Sequence, residues 1–150
     1  KDALTQYHRE EDDAYEALEL PGKDELRKSL KILLVEDNQI NQKVALVILD
    51  KIGYSAELAV NGREAVQKYA GKSFDLILMD IQMPEMDGYD ATREIRLFEK
   101  NNPERTPVFI CAITANRSQE DEAKCFKVGM NSFITKPFRL EELTRLLNHL

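Results

Sequence analysis

A short apolar run that ends on a carboxylate restricts the fold of this chain more than any other stretch. Residues 76–79 read Leu-Ile-Leu-Met, and Asp80 follows at once. A continuous apolar run predicts a strand that is buried on both faces of a parallel sheet. Met83-Pro84 and Gly88 then predict a loop. Ligands of open α/β sheets bind outside the carboxyl ends of the strands. Asp80 is therefore a candidate functional carboxylate, although aspartates also occur at such places as turn or cap residues.

Apolar segments and helical patterns alternate along the chain from residue 31 onward. Strands are predicted at residues 31–35, 54–59, 74–80, 108–113 and 131–134. Helices are predicted at about residues 38–53, 61–71, 89–99, 118–128 and 140–150. This alternation predicts an α/β fold in which a five-stranded parallel sheet carries helices on both faces. Because crossovers are right-handed, a doubly wound sheet is the simplest closure.

The first 29 residues differ in composition from the rest of the chain. An acidic block lies at residues 10–19, and a few apolar side chains recur there at loosely helical spacing up to Pro21-Gly22. We predict an N-terminal extension over residues 1–29 and a domain over residues 30–150. The extension is expected to be partly helical, at about residues 3–19, and to need a partner surface because its apolar stripe is narrow. Its composition also fits a disordered tail.

Charge and composition argue against several classes of protein. The formal net charge is −6, and a nucleic-acid surface would show a basic stripe instead. No apolar run approaches the roughly 20 residues that span a bilayer. Residues 1–20 are polar and acidic, so we do not expect them to act as a signal peptide. Cys111 and Cys125 form no C-x-x-C pair and are expected to be free buried thiols of a reducing compartment. We expect a cytoplasmic domain that contacts neither membrane nor nucleic acid directly.

Polar residues follow four of the five predicted strands. They are Glu36-Asp37, Asp80, Thr114 and Lys136. Carboxylates that share one edge of a sheet repel each other, and a divalent cation relieves that repulsion. Oxygen ligands with room for waters and a phosphate suit Mg²⁺. A lysine and a threonine beside the metal suit an anion, so the set predicts phosphoryl transfer in which one carboxylate attacks.

Residues 31–149 resemble the receiver (response regulator) domains of two-component signalling. Four segments carry the resemblance in matching order and spacing, namely I-L-L-V-E-D-N, D-L-I-L-M-D-I-Q-M-P-E-M-D-G, A-I-T-A-N and I-T-K-P-F. The resemblance implies the flavodoxin-like receiver fold with strand order 2-1-3-4-5. It also implies a phospho-accepting domain of a phosphorelay, whose partner is a histidine kinase or a histidine phosphotransfer domain.

The resemblance assigns a metal and a phospho-acceptor. It implies that Asp80 takes the phosphoryl group from a phosphohistidine in the presence of Mg²⁺. Asp37 and Asp80 would bind the metal directly, and the backbone carbonyl of Gln82 would complete the protein ligands. Glu36 would act mainly through water. The acid pair here is Glu-Asp where the family has Asp-Asp, and Glu36 has the longer reach.

A switch is implied in the same way. Thr114 and Lys136 would hold the phosphoryl oxygens, with Lys136 coupling phosphorylation to the switch rather than binding metal. Thr114 would move toward the phosphoryl group, and Phe133 would turn into the space that it leaves, unless Phe133 is an ordinary core aromatic. Lys136-Pro137 is expected to be a cis peptide bond. Gln82 and Asn116 lie two residues beyond Asp80 and Thr114, so these two amides are expected to tune the lifetime of the phosphoryl group.

The runs E-D-N-Q-I-N-Q-K-V-A and M-P-E-M-D-G-Y resemble most the receivers of hybrid sensor histidine kinases. The chain would then be part of a kinase, cytoplasmic even if the parent protein is anchored in a membrane. By itself the domain would catalyse only its own phosphorylation and dephosphorylation. His8 and His149 are expected at the surface, and a homodimer is left open.

Two alternatives compete with a phospho-accepting receiver. An aspartyl-nucleophile, Mg²⁺-dependent phosphohydrolase of the haloacid dehalogenase type carries a second aspartate two residues after its nucleophile. Gln82 occupies that position and cannot act as an acid or base. A pseudo-receiver that only docks partners would lack part of the acid pair, the acceptor or the lysine, and all of these are present.

Overall fold

A computed structural model describes residues 29–115, 118–137 and 139–150. The predicted N-terminal helix, His8 and Asn116 lie outside these residues. Ten elements alternate along the described chain. They are β1 (Ile32–Val35), α1 (Gln39–Lys51), β2 (Ala56–Ala59), α2 (Gly62–Gly71), β3 (Leu76–Asp80), α3 (Gly88–Asn101), β4 (Phe109–Thr114), α4 (Gln119–Val128), β5 (Ser132–Thr135) and α5 (Leu140–Asn148).

The five strands form one parallel sheet in the order β2-β1-β3-β4-β5. Both the doubly wound sheet and the strand order expected from the receiver resemblance are thus confirmed. The register aligns Val35 of β1 with Met79 of β3, and Asp80 with Ile113 of β4. As a result, the central strands end side by side at one edge of the sheet.

Two hydrophobic clusters lie on the two faces of the sheet. One cluster joins the sheet to α2, α3 and α4, and it includes Tyr69, Ile77, Met79, Ile95, Ile110 and Cys125. The other joins the sheet to α1 and α5, and it includes Leu34, Leu49, Leu76, Leu78, Cys111 and Leu143. Successive residues of the central strands therefore alternate between two cores, which is why those strands are apolar without interruption. Both cysteines are free and buried, as predicted.

Polar side chains fix the helix starts. The side chains of Asn38, Asn61, Asp87 and Ser118 each accept a hydrogen bond from the backbone N–H three residues further on. This is the usual role of an N-cap residue. The Lys136-Pro137 bond is cis, as expected.

One strand boundary differs from the prediction, and the buried side of α1 was not predicted. Strand β2 begins at Ala56 rather than Tyr54. In α1 the polar Gln42 is buried, whereas Val44 and Val47 are exposed. The apolar residues of α1 surround the helix, so their spacing alone did not show which side faces the sheet. Within the described ranges, none of the helices has the length and apolar character needed to cross a bilayer.

Candidate functional site

Three carboxylates meet at the carboxyl edge of the sheet. Glu36 follows β1 directly, and Asp80 is the last residue of β3. Glu36 is only 1% exposed and Asp80 only 2%, whereas Asp37 is exposed. One oxygen from each of the three carboxylates lies within 4.8 Å of the others. Since the central strands stop at the same level, the register brings together three acids that are up to 44 residues apart.

One ammonium group bridges the two buried acids. The Nζ of Lys136 lies 3.1 Å from Oδ2 of Asp80, and 3.3 and 3.4 Å from the two carboxylate oxygens of Glu36. Lys136 follows β5, and its backbone N–H donates to the carbonyl oxygen of Thr114 at 2.8 Å. That backbone bond anchors the base of the lysine to β4, so its side chain reaches across the end of the sheet.

The charges in this cluster do not balance. Three carboxylates face one ammonium group, and burial together with the hydrogen bond to Asp80 raises the pKa of Glu36 from 4.5 to about 7. For Lys136, burial works against the charged form, but the hydrogen bond to Asp80 and the charges of Asp80 and Glu36 outweigh it and raise its pKa. The lysine thus stays an ammonium, and the excess negative charge favours binding of a further cation.

The loop after β3 closes tightly against the site. The backbone N–H of Gln82 donates to Oδ1 of Asp80 at 3.2 Å, and the N–H of Gly88 donates to the carbonyl oxygen of Ile81 at 3.0 Å. A Cβ on Gly88 would overlap the backbone carbonyl oxygen of Asp80. Only a glycine therefore lets α3 begin this close to the acid, which explains the glycine that ends the loop.

Thr114 and Phe133 lie on β4 and β5, the two strands on the far side of β3 from β1. Thr114 is the last residue of β4 and is buried, beside a groove of about 490 Å³ that Gln82 and Asp121 also line. Phe133 lies on β5, is half-buried and packs edge-on against Phe126 with the ring centres 6.1 Å apart. Six of the seven predicted site residues other than Phe133 are therefore described at this edge, and the seventh, Asn116, lies outside the described residues.

An apolar stripe that was not predicted from the sequence adjoins the site. Ile40, Val44 and Val47 of α1 are 72%, 42% and 54% exposed. Their spacing of four and three residues puts them on one side of the helix, and α1 begins just after Glu36-Asp37. On the opposite side of α1, the Nε2 of buried Gln42 donates to the backbone carbonyl oxygen of Glu36 at 2.8 Å. Helical spacing alone could have revealed the stripe, had α1 not been apolar on both sides.

Curated relatives of this chain are long signalling kinases. Hybrid signal transduction histidine kinase K of Dictyostelium discoideum is 48% identical over 117 residues, which are 76% of this chain and 10% of that protein. Histidine protein kinase 1 of Candida albicans is 44% identical over 126 residues, which are 79% of this chain and 5% of that protein. The chain thus spans a tenth or less of the length of these relatives.

Solved structures match over most of their own length. One is the receiver domain of Ssk1 in its co-crystal structure with the histidine phosphotransfer protein Ypd1 of Saccharomyces cerevisiae. It has a TM-score of 0.76 and 38% identity, covering 81% of this chain and 88% of that one. Another is the receiver domain of the sensor histidine kinase PA1611 of Pseudomonas aeruginosa, with magnesium in its active-site cleft. It has a TM-score of 0.70 and 43% identity, covering 80% and 95%. A profile of the response regulator receiver domain matches residues 32–148. This chain therefore belongs to the response regulator receiver domain family.

Proposed function

We propose that this chain is a phospho-accepting receiver in which Asp80 takes a phosphoryl group from the phosphohistidine of a histidine kinase or a phosphotransfer protein. The observation that supports this most is the position of Asp80. Its carboxylate is buried at the end of the central strand, close to two further acids and 3.1 Å from a lysine ammonium. No other described aspartate combines burial with neighbours of both signs of charge.

The donor set at this edge fits Mg²⁺. Carboxylate oxygens of Asp37 and Asp80 lie within 4.8 Å of each other, and both are hard ligands of the kind that Mg²⁺ takes. The backbone carbonyl of Gln82 would complete the protein ligands, and Glu36 would act through a water. Bound there, Mg²⁺ would offset the excess carboxylate charge and stabilise the phosphoryl oxygens during transfer.

The transfer needs no further acid or base from this chain. A carboxylate oxygen of Asp80 forms a bond to phosphorus while the phosphorus–nitrogen bond of the donor breaks. The imidazole nitrogen of the donor keeps the electron pair and takes up a proton from solvent. Lys136 then pairs with a phosphoryl oxygen in exchange for the Asp80 oxygen that it contacts now, and the Thr114 hydroxyl donates to another. The same contact that holds Lys136 before transfer thus places it for its later role.

The switch that we propose follows from this exchange. Thr114 moves toward the phosphoryl group, and Phe133 turns from the surface into the space beside it. Phe133 starts half-buried and edge-on against the exposed ring of Phe126, so its rotation would change the surface that α4 and β5 share. A partner that contacts this surface would detect the phosphorylation state.

The lifetime of the phosphoryl group depends, in this proposal, on Gln82 and Asn116. The side chain of Gln82 is exposed at the mouth of the site, while its backbone N–H is bound to Asp80. An amide can hydrogen-bond an approaching water but cannot deprotonate it. Hydrolysis of the aspartyl phosphate is therefore expected to be slow and sensitive to substitution at these positions.

The phosphodonor is proposed to dock on the stripe formed by Ile40, Val44 and Val47. Exposed apolar residues that lie together mark interaction surfaces, whereas single ones do not. The stripe lies on the helix that begins beside Asp37, so a partner bound there holds its phosphohistidine near Asp80. The receiver of Ssk1, to which this chain is similar, is seen in complex with a histidine phosphotransfer protein. A histidine phosphotransfer domain is therefore the expected class of partner.

Substitution of Asp80 tests the proposed function directly. Asp80→Asn is expected to abolish labelling by acetyl phosphate in the presence of Mg²⁺, because an amide oxygen is not a comparable nucleophile. Intact-mass spectrometry measures the labelling, and Asp50→Asn, an exposed aspartate on α1, serves as the matched control and should label normally. Equal labelling of Asp80→Asn and the control would disprove the assignment. Multiple turnovers on phosphate esters would instead indicate a phosphohydrolase.

Substitution of Lys136 separates metal binding from the response. We expect Lys136→Ala to retain Mg²⁺ affinity, because an ammonium does not ligate the metal and its loss leaves the carboxylates in place. The same variant should lose most of the structural response to phosphorylation, measured as the change in amide exchange of β5 and α4. A large loss of Mg²⁺ affinity in Lys136→Ala would contradict this division of roles.

A further inference from the structure

A basic groove runs between α3 and α4, on the face of the sheet opposite α1. Its volume is about 770 Å³, and five cationic side chains line it around an apolar floor that includes Leu97. Among the residues that the structure describes, no acidic one lines it. The cations are Arg93, Arg96, Lys100, Lys124 and Lys127. We call this feature the α3–α4 groove. Neither phosphoryl transfer nor the switch uses it.

The cations of the α3–α4 groove fall into two groups. Arg96 is committed to the fold, because it donates to Glu99, to the carbonyl oxygen of Gly129 and to Asn131. Arg93 pairs with Asp90 on its own helix. By contrast, Lys100, Lys124 and Lys127 are exposed and form no salt bridge with any residue that the structure describes. Lys124 lies over the ring of Tyr89 at 4.4 Å. Three ammonium groups therefore face the groove without a carboxylate partner among the described residues.

The acidic block of residues 10–19 lies outside the described residues. Residues 10–19 carry six carboxylates and no cation, which equals the whole formal net charge of −6. The remaining residues of the chain are therefore neutral in sum, and three of their lysines that have no carboxylate partner among the described residues lie together at the α3–α4 groove. Tyr15 and Leu18 lie among the acids. A segment of this composition matches both the rim and the floor of the groove.

The connection between the segment and the groove is long enough. In a βα unit the helix runs back along the sheet, so Lys100 and Lys127, in the last turns of α3 and α4, lie toward the edge where β1 begins. Two strand spacings separate β1 from β4, about 10 Å, and the helix layer adds about 10 Å. Residues 23–28 alone reach roughly 20 Å when extended. The acidic block can therefore reach the groove of its own chain without distorting β1.

We propose that residues 10–19 bind the α3–α4 groove of the same chain. The carboxylates pair with Lys100, Lys124 and Lys127, while Tyr15 and Leu18 cover Leu97. Because α3 and α1 contact different hydrophobic clusters, the bound segment lies on the face away from Ile40, Val44 and Val47. The chain that leads into the domain is thereby fixed on one face while the apolar stripe stays open to a phosphodonor.

Carbodiimide cross-linking of the full chain tests this proposal. The reagent joins carboxylates to amines in direct contact, and peptide mass spectrometry locates the joined residues. The acidic block is expected to link to Lys100, Lys124 and Lys127 and not to Lys43 and Lys51, two exposed lysines of α1. The yield should fall as salt is raised, because these charges are at the surface. Equal yields at the groove and at α1 would overturn the proposal.

Charge variants test whether the acidic block binds the α3–α4 groove specifically or is attracted to any positive surface. The double variant Lys100→Glu/Lys127→Glu should lower the links to Lys124 several-fold and speed amide exchange in residues 10–19, whereas Lys43→Glu/Lys51→Glu should change neither. A second variant, with amides in place of Glu10, Glu11, Asp12 and Asp13, leaves the domain itself unaltered and should have the same effect as the groove variant. Unchanged exchange in both variants would overturn the proposal.

A mixture of ¹⁴N- and ¹⁵N-labelled chains identifies which copy supplies the segment. Links within one isotope population, at a yield independent of protein concentration, are expected. Links that join the two populations and rise with concentration would overturn binding within one chain and would indicate exchange between copies.

Discussion

Two clusters of buried polar side chains lie in this domain, and they differ in how their charge is matched. At the carboxyl edge, Glu36 and Asp80 share the ammonium of Lys136, with Asp37 nearby. At the C-terminal end of α3, Glu99 is buried as deeply as Thr114 but lies among donors only. The first cluster has more carboxylates than cations, and the second does not.

The Glu99 cluster is a connector between elements. One carboxylate oxygen accepts from the hydroxyl of Tyr69 at 2.7 Å and from the backbone N–H of Val108 at 2.8 Å, and the other accepts from Arg96 at 2.8 Å. Arg105 lies over the Tyr69 ring at 4.7 Å and donates to the Tyr69 carbonyl oxygen. The carboxylate thereby ties α2, α3 and the start of β4 together, and its charge is neutralised where it lies.

This difference in charge matching distinguishes a buried carboxylate that stabilises the fold from buried carboxylates that bind a ligand. A buried carboxylate that is fully bonded to donors contributes to stability, and its removal leaves several partners unsatisfied. Carboxylates that are buried against each other cost stability, which is tolerated where a cation and a phosphoryl group bind. Substitutions in the two clusters should therefore have opposite effects on folding.

The largest expected effect on stability comes from the connector. Glu99→Ala removes three hydrogen bonds and takes the carboxylate acceptor away from the Tyr69 hydroxyl, the Val108 N–H and the Nη1 of Arg96. We expect a loss of about 3 kcal/mol in the free energy of unfolding. Urea denaturation measures it. Glu94→Ala, at an exposed position of the same helix, is the matched control and should change stability by less than about 0.5 kcal/mol.

Phosphorylation should survive the same substitution. Glu99 is distant from the acid cluster in the fold, so Glu99→Ala should label with acetyl phosphate as the wild type does at temperatures where it is folded. A Glu99→Ala protein that is as stable as the Glu94→Ala control would remove the contrast between the two clusters.

The acid cluster was predictable from the sequence, and the connector was not. The central strands can be recognised from their apolar runs and the others from the alternation with helices. Because parallel strands place their ends together, Asp80, Glu36 and Lys136 could be grouped from their positions along the chain alone. Glu99 lies in a charged helix, and its partners Tyr69 and Val108 are in other elements. Only the packing of α2 on α3 brings them within reach, and no local pattern marks that contact. The buried side of α1 was hidden for a related reason, since apolar residues surround that helix.

The next effect is the pH dependence of stability. It should be smaller, because a buried carboxyl group loses its unfavourable charge when it binds a proton. The pKa of Glu36 is raised from 4.5 to about 7, chiefly by burial and then by the hydrogen bond to Asp80. Between these two pH values the folded protein binds more protons than the unfolded chain, so its stability falls as pH rises. Without Mg²⁺, we expect the melting temperature to decline from pH 5 to about 7.5.

The variant Glu36→Gln checks the origin of this decline. It should remove most of the slope, whereas Glu94→Gln should not. In the wild type, Mg²⁺ competes with the proton, so the metal should raise the melting temperature more at pH 7.5 than at pH 5. A slope that persists in Glu36→Gln would assign the titration to another group and would weaken the view that the site is destabilised by its own charge.

The smallest effect on folding is expected at the apolar stripe of α1, because its residues belong neither to the acid cluster nor to the Glu99 cluster. Ile40 and Val47 are largely exposed, so Ile40→Ala/Val47→Ala should leave the free energy of unfolding within about 0.5 kcal/mol of the wild type. Labelling of Asp80 by acetyl phosphate should also be unchanged, since that donor makes no contact with α1.

Transfer from a phosphorylated histidine phosphotransfer protein should be slowed by the same double substitution, because truncation of apolar anchors weakens docking by about 1.4 kcal/mol, or tenfold in affinity. Rapid-quench transfer assays measure that loss as a raised half-saturation concentration. Leu97→Ala, equally apolar and 52% exposed but on α3, is the matched control. Equal transfer by both variants would show that the donor docks elsewhere than on the apolar stripe of α1.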